Sequence, residues 1–323
     1  MSKVCALTVT YGDRGVFLAQ VIDSLVREKV DNIVIVDNNS SNKTKETIER
    51  YQSLGICIDI ISFSSNQGSA IGFSKGIQFV FENVDCEYIM ILDDDNVITA
   101  GSLKVLRKNC NSFNDKSMMV AYREGRKPYS DIVSGHSIKA AYANKNAFFG
   151  FNLLDKFRRR KINQPNAPLS VPIEIPFGPY GGLFFNKRII KDIGYPDERF
   201  VLYCDDLEYT KRIYSFGGSL VLVPMAIIQD VDNSWSKIKA KRFQNLYTSN
   251  KNQLFFSTRN SIYFQYNFLV KNKLLFFLNM VIYLTFFICY SLLQREAYTI
   301  RTYMLAVKAG LFRDFSQDKL FNV

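Results

Sequence analysis

Within its first hundred residues the chain sets four short apolar runs apart with stretches of helical spacing, and this alternation leaves few folds open. Residues 4–11, 32–36 (NIVIV), 57–63 and 87–92 (EYIMIL) read as strands, and residues 16–26, 44–54 and 69–81 as helices. Strands that are apolar nearly throughout need cover on both faces. Helices between consecutive strands bring them into parallel pairing, so the expected class is α/β with a Rossmann-like nucleotide-binding sheet.

In such sheets a ligand sits beyond the carboxyl ends of the strands. The residues there are Thr10, Tyr11 and Arg14 after the first strand and Asp37, Asn38 and Asn39 after the second. Asn66 and Gly68 follow the third, and Asp93, Asp94 and Asp95 the fourth. All are polar or small, and the topology makes the four loops converge.

Residues 111–179 are loosely patterned, with a basic run at 158–161, and read as loops and short strands around an acceptor site. Order returns at Gly181 and Gly182, an apolar run at 183–185, a helix near 187–193, the cluster Asp205, Asp206 and Glu208, and a strand at 221–228. This divides the chain into a catalytic unit over 1–232, with a nucleotide-binding half (1–110) and an acceptor-binding half (111–232), and a distinct region over 233–323.

That last region carries no acidic residue between Asp232 and Glu296. Its Lys237, Lys239, Lys241, Arg242, Lys251, Arg259, Lys271, Lys273 and Arg295 alternate with Trp235, Tyr247, Phe255, Phe256, Tyr263, Tyr266 and Phe268. Over the whole chain 41 Lys and Arg outnumber 30 Asp and Glu, a formal charge of +11 that calls for an anionic partner. Basic residues mixed with aromatics suit an anionic lipid interface, and residues 274–293 are uncharged for about the ~20 residues of a bilayer span. Three readings stay open: shallow association, a true span, and a buried hairpin. Asn279, Thr285 and Ser291 do not share one helical face, which speaks against a simple amphipathic helix, and both flanks are basic, which speaks against a span.

The six cysteines form no CxxC pair and read as reduced thiols in the cytoplasm; the N-terminus lacks a signal-peptide pattern, so export of the bulk of the chain is not expected. His136, the one histidine, lies in a polar SGHS segment, which excludes a His-rich metal site and any Ser-His-Asp array without it.

EYIMILDDDN is the most specific chemical signal. Three adjacent carboxylates after a buried strand repel one another unless a cation sits among them. Asp93 and Asp95 are assigned to metal and nucleotide-sugar; a solvated acidic turn is the plain alternative. Asp37 can accept from a nucleobase N–H or cap the following helix, a task open equally to Ser40 or Ser41. Gly68 opens a helix where backbone N–H groups can approach a phosphate, and Lys75 either reaches a diphosphate or is solvated. In YCDDLEYTKR, Asp206 is the candidate general base, with Asp205 and Glu208 at the acceptor; an acidic helix start is the alternative.

Taken in order, TVTYGDR, IVIVDNNS, NQGSAIGFSKG, ILDDDN, PYGGLFF and DDLEYTKR resemble the inverting glycosyltransferases of family 2, which have the GT-A fold, and STRNSIYF and KAGLFRDF resemble the tail of rhamnosyltransferase-like and galactofuranosyltransferase-like bacterial members. The resemblance implies a nucleotide-sugar donor (UDP- or dTDP-linked, galactofuranose or rhamnose) read by Thr10, Tyr11, Arg14, Asp37, Asn66, Gly68, Lys75, Asp93 and Asp94. It also implies Mn²⁺ or Mg²⁺ on the Asp93–Asp95 motif, Asp206 as base, and Gly182, Asp205 and Glu208 at the acceptor. Where many relatives place a metal-binding His, this chain reads AIIQDVDNSW, leaving Gln229 or Asp230 as the third ligand.

The implied acceptor is a lipid-linked glycan in cell-surface polysaccharide synthesis, O-antigen or capsule, at the cytoplasmic face of a bacterial inner membrane. Two other classes fit the sequence less well. A sugar nucleotidyltransferase would carry a fuller Gly-, Arg- and Lys-bearing loop than TYGDRG. A non-catalytic basic protein on membrane or nucleic acid would have no use for two acidic clusters, and the uncharged segment fits lipid better than nucleic acid.

Overall fold

The computed structural model describes residues 2–142, 145–156, 170–232 and 250–316. The expected alternation opens the fold: β1 (Val4–Gly12), α1 (Gly15–Arg27), β2 (Asn32–Ser40), α2 (Asn42–Ser53), β3 (Ile58–Phe63), α3 (Ser69–Asn83) and β4 (Tyr88–Asp93). β3, β2, β1 and β4 lie side by side in that order, all parallel, and the sheet continues into mixed strands. Leu7, Val34, Val36, Ile89 and Ile91 pack on one face, Val4, Ala6, Ile33, Ile35, Met90 and Leu92 on the other, which is why these strands are apolar in both phases of the pleat.

The second strand runs further than its apolar core suggests. It pairs with β3 through Asn38↔Phe63, so Asp37 and Asn38 are strand residues and not loop residues. Ser41 caps α2, its hydroxyl accepting from the Thr44 amide at 3.4 Å, which leaves Asp37 free of that task.

The middle of the chain is more regular than its polar composition implies. It forms β5 (Asn96–Ile98), α4 (Ser102–Ser112), β6 (Met118–Arg123), α5 (Lys127–Val133), α6 (Ile138–Ala141) and β7 (Ile173–Glu174). β8 (Leu183–Asn186), α7 (Ile190–Ile193), α8 (Asp205–Arg212) and β9 (Leu220–Asp230) follow. β8 joins β4 antiparallel, and β6, β9 and β5 complete the order β3-β2-β1-β4-β8-β6-β9-β5. This places the end of β9 beside the acidic turn after β4. The basic run at 158–161 and Trp235, Lys237, Lys239, Lys241, Arg242 and Tyr247 lie outside the described residues.

Three helices close the described chain: α9 (Lys251–Phe264), α10 (Lys273–Leu293) and α11 (Ala297–Phe312). One side of α10 (Phe276, Asn279, Tyr283, Phe287, Ser291) is buried, and Phe148, from the middle of the chain, packs between Phe276 and Tyr283. Asn279 sits on that buried side because it is needed there. Its Oδ1 accepts from the Leu153 amide at 2.9 Å and its Nδ2 donates to the Asn146 carbonyl at 2.8 Å. Thr285 faces out and satisfies its hydroxyl on the Val281 carbonyl at 2.9 Å. The outward side is apolar: Leu274, Phe277, Leu278, Val281, Phe286, Leu292 and Leu293 are exposed. The helix is therefore two-sided, with Asn279 and Ser291 set among aromatic and aliphatic groups on the packed side and an outward side that is mainly apolar but carries Thr285. Among the described residues it is the one helix long and apolar enough to cross a membrane.

Candidate active site

The acidic turn after β4 is built around two arginines. Asp94 is buried, and its carboxylate accepts from the Thr10 hydroxyl at 2.8 Å and from Arg14 Nε at 2.8 Å. The same guanidinium reaches Asp95 at 3.4 Å and Asp232 at 3.0 Å. Arg123, at the end of β6, lies 3.1 Å from Asp93 and 2.6 Å from Asp230. Asn96 joins the two halves, its Nδ2 donating to Asp95 at 3.0 Å and to Asp230 at 2.9 Å. Five carboxylates thus meet two guanidiniums, and the excess negative charge is felt. Burial, then the charges of Asp93 and Asp94, push Asp95 up to about 6; burial pushes Asp94 up to about 6 against the pull of Arg14.

This geometry revises several expectations. Thr10, Arg14 and Asp94 hold one another, so Asp94 is a buttress of the turn and not an open donor-binding group. The three-carboxylate cage of Asp93, Asp95 and Asp230 is not formed, since Arg123 occupies the space between Asp93 and Asp230. Among the described residues no three His, Cys, Asp or Glu side chains stand together as a cation cage. Strand alternation does decide between the two candidates on β9. Asp230, paired with Asn96, faces the turn, while Gln229 is exposed on the other side.

The second cluster opens α8. Asp205 is enclosed, with the Tyr180 hydroxyl as a polar neighbour, and burial followed by the charge of Asp206 pushes its carboxyl well above the usual range. Asp206 accepts from the Leu207 amide at 2.8 Å; burial raises it to about 6, with Arg126 holding it down and Asp93 pushing it up. Asp93 acts on both aspartates, so the two acidic clusters share one electrostatic neighbourhood. Glu208 does not join them. It grips Arg212 through both oxygens, and Arg212 in turn donates to the carbonyls of Ile193 at 2.7 Å and Tyr195 at 2.9 Å, so the pair anchors α8 to the end of α7.

On the β2 side, Asp37 is buried with one oxygen on the Ser40 amide at 2.7 Å and the other 3.8 Å from Lys45. Asn38 ties this strand to the β3–α3 loop through Asn66 at 3.0 Å, the Gly68 carbonyl at 3.2 Å and the Gln67 amide at 2.8 Å. Gly68 has φ of +84°, and a Cβ there would collide with the Val201 carbonyl. That carbonyl also accepts the Ala70 amide at 3.1 Å, so the start of α3 is closed by protein rather than left open for a phosphate. Lys75 is half-exposed and pairs with Glu198 at 3.0 Å. Gly182, at φ +86°, spends its backbone in the sheet, its amide on the Ile91 carbonyl and its carbonyl on the Ala121 amide, both at 2.9 Å. Tyr11 is exposed beside Arg14, its ring 5.7 Å from the guanidinium carbon.

Residues 5–194 match the model of glycosyl transferase family 2. The chain belongs to that family. The match takes in Thr10 to Asp95 and Gly182 and ends before Asp205, Asp206 and Asp230. A family relative, the galactofuranosyltransferase GlfT2 of Mycolicibacterium smegmatis, is 25% identical over 224 residues, 66% of this chain; the chain spans 34% of that protein's length. Solved structures share the fold at low identity. TarS 1-349 of S. aureus, in complex with UDP-GlcNAc, is 12% identical with a TM-score of 0.54, over 98% of this chain and 81% of that one. The mannosyltransferase PcManGT of Pyrobaculum calidifontis, in complex with GDP-Man and Mn²⁺, is 12% identical with a TM-score of 0.53, over 96% and 75%. GalNAc-T7, with UDP, GalNAc and Mn²⁺, is 14% identical with a TM-score of 0.53, over 79% and 48%. The expected GT-A class of sheet is therefore the fold of this family 2 chain.

Four residues of this family 2 site escaped the sequence reading: Asn96, Arg123, Arg126 and Asp232. Arg123 ends the run MMVAYR, a strand signal inside the segment read as loops and short strands, and its partners lie 30 and 107 residues away in sequence. Asp232 gave a weaker signal, since only the path of β9 brings it to Arg14.

Proposed function

We propose that this chain is a metal-dependent inverting glycosyltransferase, taking a sugar from a nucleotide-sugar and passing it to an acceptor hydroxyl. The observation that carries the reading is the pairing of two partly buried acidic clusters, one at the end of β4 and one at the start of α8, close enough for Asp93 to raise both Asp205 and Asp206. One cluster suits the departing diphosphate, the other the incoming hydroxyl. Asp37 accepts from a nucleobase N–H, and Tyr11, exposed at the same edge, offers a stacking ring.

The donor set fits a hard divalent cation. It is all oxygen and carries net negative charge, and burial together with Asp93 and Asp94 raises the Asp95 carboxyl in spite of Arg14 and Arg123. Asp93 and Asp95 would hold Mn²⁺ or Mg²⁺, and with a diphosphate supplying further oxygens two carboxylates are enough. Bound there, the cation neutralises charge on the departing diphosphate. Asp206 accepts the acceptor's proton as the hydroxyl oxygen bonds to the anomeric carbon and the bond to the diphosphate oxygen breaks; attack opposite the leaving group inverts the centre. Asp205, enclosed beside it with a carboxyl that burial pushes upward, supports the acceptor side of the site.

UDP- or dTDP-linked galactofuranose or rhamnose is the favoured donor, and the likeness to a galactofuranosyltransferase supports the first. We further propose a lipid-linked glycan acceptor and shallow insertion of α10 at the cytoplasmic face of a bacterial inner membrane. Its inward side is packed against protein, so only the outward apolar side is open to lipid, and Lys271, Lys273 and Arg295 stand at its ends for anionic headgroups. Calorimetric titration with UDP and dTDP, with and without Mn²⁺, tests the donor half. Metal-dependent binding of one of them, lost in Asp37→Ala, is expected; no binding of either would sink the reading.

A further inference from the structure

Between α7 and α8 the chain forms a strap, residues 197–204, that leads directly into Asp205 and Asp206. Its backbone is strained: Val201, Tyr203 and Cys204 have φ of 60°, 69° and 63°. For a β-branched valine and a bulky tyrosine such a conformation persists only where the surroundings impose it.

The surroundings are specific. Five consecutive carbonyls of the strap each accept from another element. Arg199 O takes Arg259 Nη2 at 2.8 Å, and Phe200 O takes the same nitrogen at 3.2 Å and Asn260 Nδ2 at 2.8 Å. Val201 O takes the Ala70 amide at 3.1 Å, and Leu202 O and Tyr203 O lie 2.6 and 3.0 Å from Asn260 Nδ2, whose two hydrogens are shared among these two carbonyls and that of Phe200. The amide of Asn260 cannot turn over without loss, because its Oδ1 accepts from Arg259 Nε at 2.8 Å. Both side chains are buried, and the guanidinium lies 5.0 Å from the Phe256 ring and 4.7 Å from that of Phe315. On its other side the strap is fastened to α3, where Glu198 accepts from Ser74 at 2.9 Å and pairs with Lys75. A buried cation and a buried amide spent on main-chain carbonyls are costly unless the loop they hold must be held.

We propose that Arg259 and Asn260 are positioning residues that hold the strap in its strained form and so set the place of Asp206, linking the C-terminal helices to the chemistry. The kinetic part rests on the glycosyltransferase reading; the structural part does not. α11 shares in the arrangement, since Gly310 passes so close to the Arg259 carbonyl that a Cβ would clash with it.

The test uses the full chain with Asn260→Ala, Arg259→Lys and, as a stability control away from the strap, Phe276→Ala. Amide hydrogen exchange over 197–206 is expected to quicken at least tenfold in the first two, with residues 4–12 and 88–93 unchanged, and to stay at the parent rate in the control. Turnover with the active donor should fall about 10- to 100-fold with donor KM within about twofold, the signature of a displaced group and not of lost binding. Unchanged strap exchange in Asn260→Ala, or a fall in kcat that Phe276→Ala matches at equal loss of Tm, overturns the proposal. Should Asn260→Ala not fold, Arg259→Lys, which keeps the buried charge, carries the same comparison. If the parent transfers no sugar from any donor, the functional reading fails while the exchange result still decides the clamp.

Discussion

Asp206 is the residue on which the proposed chemistry turns, and its burial makes the consequence measurable. With its carboxyl raised to about 6, the base is ionised at neutral pH and protonated in mild acid, so kcat should rise with pH through about 6 and level off above it. Asp206→Asn removes the proton acceptor and keeps the shape; a fall in kcat of about 10²–10⁴-fold with donor binding intact is expected. Equal activity in the two proteins would remove Asp206 from the mechanism. Asp94 serves a different end. Asp94→Ala strips Thr10 and Arg14 of their shared partner and should cost about 2 kcal/mol of stability, read as a lower urea midpoint. Among single residues, those at strand ends were legible because the sheet's topology fixes where a strand's carboxyl end must point. What Gly68, Gly182 and Glu208 do was not legible, since each answers to a contact made by sequence more than ten residues away: the Val201 carbonyl, the Ile91 and Ala121 backbone, and through Arg212 the end of α7.

At the scale of elements, the first half was readable because burial on both faces writes itself into β1, β2 and β4 as unbroken apolar runs. β6 falls where short strands were expected but could not be placed, because its run MMVAYR is short and embedded in polar sequence, and Arg123 was lost with it. α10 shows the converse. Its composition left its orientation open, and only the packing of Phe276, Tyr283 and Phe287 on Phe148 and α11 reveals which side is free. If that outward side meets lipid, Val281→Asp with Phe286→Asp should release the protein from vesicles containing anionic lipid while leaving Tm within a few degrees. Co-sedimentation decides it, and undiminished vesicle binding would contradict the membrane role. Phe276→Ala, by contrast, opens the buried seam and should cost about 3–5 kcal/mol.

For the whole molecule, the positive net charge conceals a negative centre. Formal charge is +11 over the chain, yet the carboxylates after β4 outnumber the guanidiniums between them. A divalent cation should therefore raise Tm at neutral pH in spite of the overall charge, and less so in mild acid, where protons compete for the same oxygens. The central claim, that the two acidic clusters form one site for sugar transfer, is tested most directly by following nucleoside diphosphate release from a panel of nucleotide-sugars with Mn²⁺ or Mg²⁺, in the parent, Asp95→Ala and Asp206→Asn. The account predicts one preferred donor, a strict need for the metal, and loss of release in both variants. Release from no donor in the presence of either metal, or variants as active as the parent, would contradict it.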